Sequence, residues 1–149
     1  MAKKKKTGSN HVPNADEESV GNSTGKDRRR KKKISADASF FAVAAAKIAD
    51  ERHCNDIVIL DLRGLSPATD YFVIATGTSN RQMRSVADEI NEAARGQGRQ
   101  RFGRAGYEQA RWILLDYVDV VIHIFDAEYR DYYDLELLWG DAKRLTIDD

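Results

Sequence analysis

The chain has 149 residues, of which 42% are hydrophobic and 32% are charged, and its formal net charge is zero at pH 7. This length and composition suit one globular domain, and the single cysteine excludes an internal disulfide bond. The apolar runs fall well short of the roughly 18 residues that a membrane-spanning helix requires, so the sequence predicts no membrane segment and a cytoplasmic location.

Charge is unevenly distributed along the chain. Residues 1–33 hold 11 Lys/Arg and 4 Asp/Glu, a net charge of +7, whereas residues 34–149 hold 13 and 20, a net charge of −7. The first segment has little apolar content to offset the entropy cost of ordering, so we expect residues 1–34 to be a disordered basic tail. The acidic domain expected over residues 35–149 suits a basic protein partner better than nucleic-acid phosphates.

Residues 35–76 predict one helix followed by two strands. Ser35 or Asp37 is a suitable N-cap for the helix. Residues 57–62 and 71–76 are short apolar runs with β-branched side chains, which is typical of buried strands, and a loop with Gly, Ser and Pro joins them. The predicted buried face of the helix, at helical spacing, consists of Phe41, Ala44, Ala45 and Ile48.

A second helix is predicted after the second strand. Thr78 or Ser79 supplies its N-cap, and Gly96 and Gly98 mark its end. Its predicted buried stripe is Met83, Val86, Ala87, Ile90 and Ala94.

The last third of the chain predicts a hairpin and a long helix. Residues 101–103 suit a short edge strand, and the apolar runs 112–117 and 119–125 are so close that they indicate a tight antiparallel hairpin. From residue 127 to 144 the pattern is helical, and the residues predicted on its buried face are Tyr132, Leu135, Trp139 and Ala142. The element order therefore predicts a single α/β (α+β) domain, in which a mixed sheet of four or five strands packs against flanking helices.

Two interpretations compete for the turn at residues 76–79 (TGTS), which joins a strand to a helix. Backbone N–H groups at a helix start can hold a phosphate, but a helix cap after a glycine turn requires the same residues. The cap is favoured, because the chain lacks the GxxxxGK[ST] pattern with its lysine.

The carboxylates show no spacing typical of a metal or catalytic site. The sequence has no Asp-x-Asp pair, which would direct two carboxylates to one face of a strand. Asp116 and Asp119 flank the hairpin turn, and Asp61 and Asp70 flank the first loop, where turn and capping chemistry account for them. We therefore predict no catalytic residue, no metal and no cofactor.

His123, Cys54 and Trp112 are further candidates for function. A lone histidine within an apolar run, such as His123, is more often a hydrogen-bonded core residue than a ligand or a base. Cys54 has only His53 beside it in sequence and is expected to be a small buried residue. Trp112 follows the polar residues 109–111, so part of its ring is expected at the surface, where Trp and Tyr are favoured in protein interfaces.

Four segments resemble the ribosomal silencing factors, also called the Iojap-related proteins. In chain order they are residues 56–61 (DIVILD), 69–81 (TDYFVIATGTSNR), 112–123 (WILLDYVDVVIH) and 130–139 (RDYYDLELLW). Their order and spacing agree with that family from Ala44 onward, and the four segments together are specific where each alone is weak.

The resemblance implies both a fold and a function. The fold would be a nucleotidyltransferase-like topology without the catalytic carboxylates, and the protein a translational repressor rather than an enzyme. Family members bind ribosomal protein L14, a basic protein on the joining face of the large ribosomal subunit, and thereby block association with the small subunit. Similar proteins also take part in large-subunit biogenesis.

On this resemblance, the partner-binding surface lies around Trp112, Asp116 and Tyr117, with Asp70 and Glu136 as further acidic contributors. An aromatic centre with charges at its rim suits an acidic domain that meets a basic protein. Family members often have Gly at the position of Val118 in the hairpin turn. A β-branched residue resists a positive φ, so this turn is expected to differ or to carry strain.

Two other functions remain open at the level of sequence. A minimal nucleotidyltransferase would use Thr78, Ser79 and dispersed carboxylates, and an RNA-binding maturation factor would act through the basic tail. The tail is either a solvated charge run or a non-specific, salt-sensitive contact to ribosomal RNA. A monomer and a homodimer are both compatible with the sequence, since an aromatic surface that awaits a partner can pair with itself.

Overall fold

Six strands and four helices make up the computed structural model, which describes residues 25–147, with side chains from residue 37 onward. None of these helices is long and apolar enough to cross a membrane. In chain order the elements are α1 (Gly25–Glu51), β1 (Asn55–Asp61), β2 (Tyr71–Thr76), α2 (Asn80–Gly96), β3 (Gly103–Ala105), β4 (Trp112–Asp116), β5 (Val120–Phe125), α3 (Ala127–Tyr133), α4 (Leu135–Leu138) and β6 (Lys143–Leu145).

All six strands belong to one mixed sheet, in the order β3-β4-β5-β2-β1-β6. At its centre β2 runs parallel to β5 over six residue pairs, from Tyr71 opposite Val120 to Thr76 opposite Phe125. The other neighbours are antiparallel, including the expected β4–β5 hairpin. The prediction of a mixed sheet with flanking helices is confirmed, although the sheet has six strands rather than four or five.

Helices α1 and α2 cover the first face of the sheet. The stripe predicted for α2 is buried as expected, and it packs with Phe41 and the small residues of α1 against alternate residues of the central strands. Ser79 is the N-cap of α2, because its side chain accepts a hydrogen bond from the N–H of Gln82 at 3.0 Å. Helical periodicity and capping, both local properties, were sufficient to predict α2. The buried face of α1 differs from the prediction, because Ala44 and Ile48 are only partly buried and Ala42, Ala46 and Ala49 join Phe41 and Ala45 in the core.

The second face is covered by the segment that follows β5. Trp112, Phe125, Leu60, Leu62 and Ile74 are buried here, and partly buried aromatic side chains of α3 and the residues after α4 pack over them. We call residues 126–141 the C-terminal cap. Since only two short helices cover this face, its aromatic packing is what holds them in place.

The long helix predicted for residues 127–144 is wrong. Asp134 has a left-handed backbone with φ of 33°; it ends α3, and its side chain accepts a hydrogen bond from the N–H of Leu137 to cap α4. The chain then forms β6, which pairs with β1. The break also turns Tyr132 outward, so that 57% of it is exposed. Pairing with a strand more than eighty residues earlier is a tertiary effect that local periodicity does not report.

Two other boundaries differ from expectation. Helix α1 begins at Gly25 rather than near Ser35, because Lys and Arg are good helix formers and no Pro or further Gly interrupts residues 26–37. The basic tail predicted as disordered therefore overlaps α1 from residue 25, and its first 24 residues lie outside the described part of the chain. The short edge strand is Gly103–Ala105 rather than residues 101–103.

The close packing of Gly106 against the first residue of β4 can be tested by substitution. It has φ of +77°, and an added Cβ would collide with the carbonyl group of Trp112. We expect Gly106→Ala to lower the free energy of unfolding by roughly 3 kcal/mol in a urea titration, from the left-handed backbone and the clash together. Gly98→Ala is the matched control, because its φ is +75° with nothing within 4 Å, and it should cost only about 1 kcal/mol. Equal losses would contradict this account.

Candidate functional site

The turn between β4 and β5, residues 117–119, is strained. The N–H of Tyr117 donates to the carbonyl oxygen of Val120 at 2.9 Å, and the N–H of Asp119 donates back to the carbonyl oxygen of Tyr117 at 3.0 Å. This three-residue turn places Val118 at φ of 76°, in a conformation that β-branched residues disfavour. Val118 is 56% exposed. The sequence predicted that this turn would either differ from the family's turn or carry strain, and the structure shows the strained turn. The Val118 side chain is exposed at the hairpin tip.

The side chain of Asp116 stabilises this turn. It is buried, and its Oδ1 accepts a hydrogen bond from the N–H of Val118 at 2.7 Å. Burial raises the pKa of the Asp116 carboxyl, and the hydrogen bond from Val118 partly opposes that rise. Asp116, which the sequence predicted as a partner contact, thus stabilises the shape of the hairpin tip.

Tyr117 is also buried rather than exposed. Its hydroxyl donates to Oδ1 of Asn91 on α2 at 2.9 Å, and its ring packs edge-on against Phe41 of α1, with centroids 4.9 Å apart. Burial raises the pKa of the Tyr117 hydroxyl to about 12. Tyr117 therefore ties the hairpin to both helices of the first face.

Trp112 lies under the C-terminal cap, and only 8% of it is exposed. Its indole N–H donates to Nδ1 of His123 at 3.1 Å. The ring stacks on Phe125 at 4.8 Å between centroids and contacts Tyr133 of α3 at 4.7 Å. The surface exposure expected for this ring is not found, and Trp112 instead connects the sheet to the cap.

His123 is a core residue, as the sequence predicted. Only 3% of it is exposed, and burial lowers its pKa to about 3, so the imidazole is neutral at pH 7. Because Nδ1 accepts the hydrogen bond from Trp112, the proton of the neutral ring is on Nε2, which is buried without a hydrogen-bond partner. The ring of Phe72 lies 4.4 Å away at 66°. The burial and the contacts of this neutral imidazole are those of a core residue.

The two further acidic candidates lie at opposite ends of the sheet. The N–H of Asp70 donates to the carbonyl oxygen of Asp119, so Asp70 is beside the hairpin tip, and burial together with the Asp119 charge raises its pKa. Glu136 is in the C-terminal cap, where Oε1 accepts a hydrogen bond from the buried guanidinium of Arg130 at 3.0 Å. The five predicted residues thus divide into Trp112 with Glu136 at the cap, and Asp116, Tyr117 and Asp70 at the hairpin tip.

The surface that the sequence did not predict is on the C-terminal cap. Tyr132, Leu137 and Leu138 are 57%, 78% and 72% exposed, the latter two among the most exposed large apolar residues described. Residues 126–141 carry six acidic side chains and one Arg, a net charge of −5. The sequence contained a signal for this exposure in the adjacent pair Leu137 and Leu138. On a helix of one turn, two neighbouring side chains cannot both face the core. Asp126 and Glu128 pair with Arg111, and Glu136 pairs with Arg130 and Arg144. The cap therefore presents exposed apolar side chains within an acidic segment that these ion pairs partly neutralise.

The turn at residues 76–79 shows little capacity for a phosphate. The N–H of Gly77 donates to the carbonyl oxygen of Phe125, and the N–H of Thr78 donates to the side chain of Gln82. These amides are therefore already satisfied within the protein, and the predicted capping role is confirmed. Among the described residues, no group of three His, Cys, Asp or Glu side chains is close enough to hold a metal ion.

A mutational test separates support of the hairpin tip from contact with a partner. Asp116→Ala removes the acceptor of the Val118 N–H, and we expect it to lower the free energy of unfolding by about 1–3 kcal/mol. Asp116→Asn keeps an acceptor oxygen and is the control, with less than about half of that loss in the same urea titration. If Asn were as damaging as Ala, the negative charge rather than the hydrogen bond would be what matters.

His123 predicts an acid-sensitive fold. Its folded pKa of about 3 is below the unfolded value of 6.5, so the unfolded state binds the extra proton. The stability is present above pH 6.5 and is lost as the pH falls toward 3, by about 2 kcal/mol at pH 5. Asp70 and Asp116 act in the opposite direction, since their folded pKa values are raised. The measurement is therefore the difference between wild type and His123→Gln.

Unfolding free energies from pH 7.5 to 4.5 would give that difference. We expect wild type to lose more stability than His123→Gln as the pH falls. His53→Gln, which removes an exposed imidazole from the turn after α1 and leaves His123 in place, is the control and should keep the acid-dependent loss that His123 causes. Parallel curves for wild type and His123→Gln would contradict the assignment.

The chain is similar in sequence to members of one protein family. Residues 35–149 match the family described as "Ribosomal silencing factor during starvation". The Ribosomal silencing factor RsfS of Bacillus subtilis is 42% identical over 110 residues, which cover 74% of this chain and 92% of that protein. Protein Iojap of maize chloroplasts is 37% identical over 115 residues, which cover 75% of this chain and 49% of that protein.

Solved structures agree with this result. A crystal structure from Chromobacterium violaceum matches with a TM-score of 0.64 at 34% identity, covering 70% of this chain and 85% of that one. A crystal structure from Bacillus halodurans matches with a TM-score of 0.62 at 36% identity, covering 74% and 98%. With a family match from residue 35 to the end of the sequence and relatives around 40% identical, the chain belongs to the ribosomal silencing factor family.

Proposed function

We propose that this protein represses translation by binding ribosomal protein L14 on the joining face of the large ribosomal subunit, which excludes the small subunit. The mechanism is inhibition by occupancy: no covalent bond forms or breaks, so no enzymatic step is involved. The site of action is the cytoplasm. An immature large subunit offers the same contact, so a role in subunit biogenesis uses the same surface.

The observation that carries the proposal is the C-terminal cap. An exposed apolar centre of Tyr132, Leu137 and Leu138 within a segment of net charge −5 is complementary to a basic protein surface. Apolar side chains at the centre of an interface supply affinity, and charges at the rim steer encounter and set orientation. The family to which the chain belongs supplies the ribosome as the partner.

In this proposal Trp112, Asp116 and Tyr117 support the surface rather than form it, because they are buried. Trp112 packs beneath Tyr133, whose ring is 4.9 Å from that of Tyr132, so the indole positions the apolar centre. Glu136 holds the buried Arg130 and lies within 3.9 Å of Arg144. We assign Trp112, Tyr117 and Asp116 positioning roles.

The hairpin tip is the second part of the proposed surface. Val118 is displayed there, and Asp119 and Asp70 lie beside it. Strain in a backbone is retained where the surrounding structure enforces it, and such positions are concentrated at functional sites. We propose that Asp70 contributes charge at this end of the interface, about 20 Å from the cap along the six residues of β2.

The nucleotidyltransferase alternative is weakened by the turn at residues 76–79. Its amides at Gly77 and Thr78 donate within the protein, so they are not available to a nucleotide phosphate. The RNA-binding alternative rests on the basic segment and does not conflict with the cap, because an acidic surface and a basic one can contact different parts of one ribosome.

A co-sedimentation experiment tests the proposal. The exposed pair Leu137→Ser/Leu138→Ser removes apolar surface without changing charge or opening the core, unlike a substitution of Trp112. We expect wild type to sediment with the large subunit and to reduce the formation of joined ribosomes. The double variant should bind about tenfold or more weakly, as for loss of a central interface contact. Circular dichroism checks that it remains folded.

Phe40→Ser is the matched control. Phe40 is 68% exposed on α1, which covers the other face of the sheet from the cap, so this variant should bind as wild type does. Unchanged binding of the double variant, or equal weakening by Phe40→Ser, would remove the cap as the docking surface. Failure of wild type to sediment with the large subunit at moderate salt would refute the proposed function itself.

A further inference from the structure

The residues around β3 form a basic strip on an otherwise acidic domain. Residues 93–107 contain four arginines and no Asp or Glu, whereas the rest of residues 34–149 contains nine basic and 20 acidic side chains. The strip consists of the last turn of α2, the loop that follows it, and β3 at the edge of the sheet. Positive charge concentrated in this way attracts anionic partners, of which nucleic acid is the most highly charged.

The fold brings two of these arginines to the same side of the molecule. Arg95 lies in the last turn of α2, four positions after Asn91 and therefore on the same face of the helix. Asn91 accepts the hydrogen bond of the Tyr117 hydroxyl. Burial raises the pKa of that hydroxyl and the charge of Arg101 partly opposes the rise, so Arg101 is close to it. Arg95 and Arg101 therefore both flank this face of α2.

Arg104 continues the strip along β3. Its guanidinium lies over the ring of Tyr107, 4.0 Å from the ring centroid. The Tyr107 hydroxyl donates to both carboxylate oxygens of Asp88 on α2, at 2.9 and 2.8 Å. Asp88 is three positions before Asn91, on the same helix face. All three arginines therefore lie along one seam between α2 and β3.

The charges of these three arginines are not neutralised within residues 37–147. No carboxylate of that part of the chain forms an ion pair with Arg95, Arg101 or Arg104. Arg99 differs, because it pairs with Asp119 at 2.8 Å and both side chains are largely buried. Arg95 and Arg104 are exposed and Arg101 is partly exposed. They are therefore available to phosphate oxygens, which guanidinium groups bind through paired N–H donors.

Phe102 adds an exposed aromatic ring to the strip. It is 62% exposed and stands in sequence between Arg101 and Arg104. Its N–H donates to the carbonyl oxygen of Asp116 at 2.7 Å, which fixes its backbone to β4. An aromatic ring among arginines suits single-stranded RNA, whose unpaired bases stack on the ring while its phosphates meet the charges. One ring without an apolar helix face is poorly suited to insertion into a membrane interface.

We propose that residues 95–104 bind single-stranded RNA, with Arg95, Arg101 and Arg104 at the phosphates and Phe102 stacked on a base. The affinity for RNA does not rest on the proposed function. That the RNA is an unpaired segment of ribosomal RNA, contacted while the cap contacts protein, does rest on it. Such binding has little base preference and weakens with salt, because each neutralised phosphate releases counterions.

The test measures binding of the full-length chain to a labelled oligouridine of about 12 nucleotides by fluorescence anisotropy, at several salt concentrations. The variant is Arg95→Gln/Arg101→Gln/Arg104→Gln. Its matched control, Lys47→Gln/Arg81→Gln/Lys143→Gln, removes the same number of charges from exposed positions outside the strip. We expect the strip variant to lose about tenfold or more in affinity and about two units of the salt slope, and the control to lose less than about threefold.

The stacked base is tested separately with Phe102→Ser. This variant should bind about fivefold more weakly with an unchanged salt slope, since it removes stacking and no charge. Phe40→Ser is the matched control, because Phe40 is a similarly exposed phenylalanine outside the strip, and it should bind the RNA as wild type does. Circular dichroism checks that each variant remains folded.

Equal losses for the strip variant and its charge control would overturn the proposal, because they would show attraction by total charge alone. Unchanged binding by Phe102→Ser would overturn the assignment of single-stranded RNA. Absence of RNA binding by wild type would also overturn the proposal, as would equally strong binding to vesicles that contain anionic lipid. Leu137→Ser/Leu138→Ser should bind the RNA as wild type does, so failure of cap docking and failure of RNA binding are read in separate assays.

Discussion

The parallel pairing of β2 with β5 is the constraint on which the rest of this structure depends. A parallel pair cannot be closed by a tight turn, so the chain must travel through α2, β3 and β4 before it returns as β5. Central strands in such a sheet are buried on both faces. The residues of β2 and β5 are accordingly almost all buried, with Phe72 and Val121 only partly covered. Two covering layers are therefore required, and the chain supplies them unequally.

The unequal layers explain where the candidate interface lies. The first face receives two long helices whose small and apolar residues form the larger core. The second receives only the C-terminal cap, which is held by aromatic contacts to Trp112 and by Arg130, whose guanidinium donates to Thr76 at 2.8 Å and to Glu136. A layer one helix deep has an outer side in water, and here that side carries Tyr132, Leu137 and Leu138. Apolar exposure on a thin layer is typical of a surface that a partner covers.

Charge is also unevenly divided along the chain. Residues 1–33 have a net charge of +7 and residues 34–149 a net charge of −7, so the zero net charge of the chain conceals two segments of opposite sign. In the proposed interface, the acidic cap meets a basic protein surface. Electrostatic contacts of this kind contribute more to encounter and orientation than to affinity. In the proposed interface, the exposed apolar side chains of the cap supply the affinity that charge does not.

The sequence by itself determined the elements whose stability is local: the α2 stripe and its Ser79 cap, the two central strands, the hairpin, and the core character of His123 and Cys54. Each depends on periodicity, capping or apolar content within a few residues, which can be read along the chain. Membership of the family also followed from four short segments. The tertiary structure decided the parallel register, the pairing of β6 with β1, the break at Asp134 and the burial of Trp112, Asp116 and Tyr117. These depend on contacts between residues far apart in sequence. Because a side chain of given chemistry serves equally in a core or in an interface, only its neighbours in space decide which role it has.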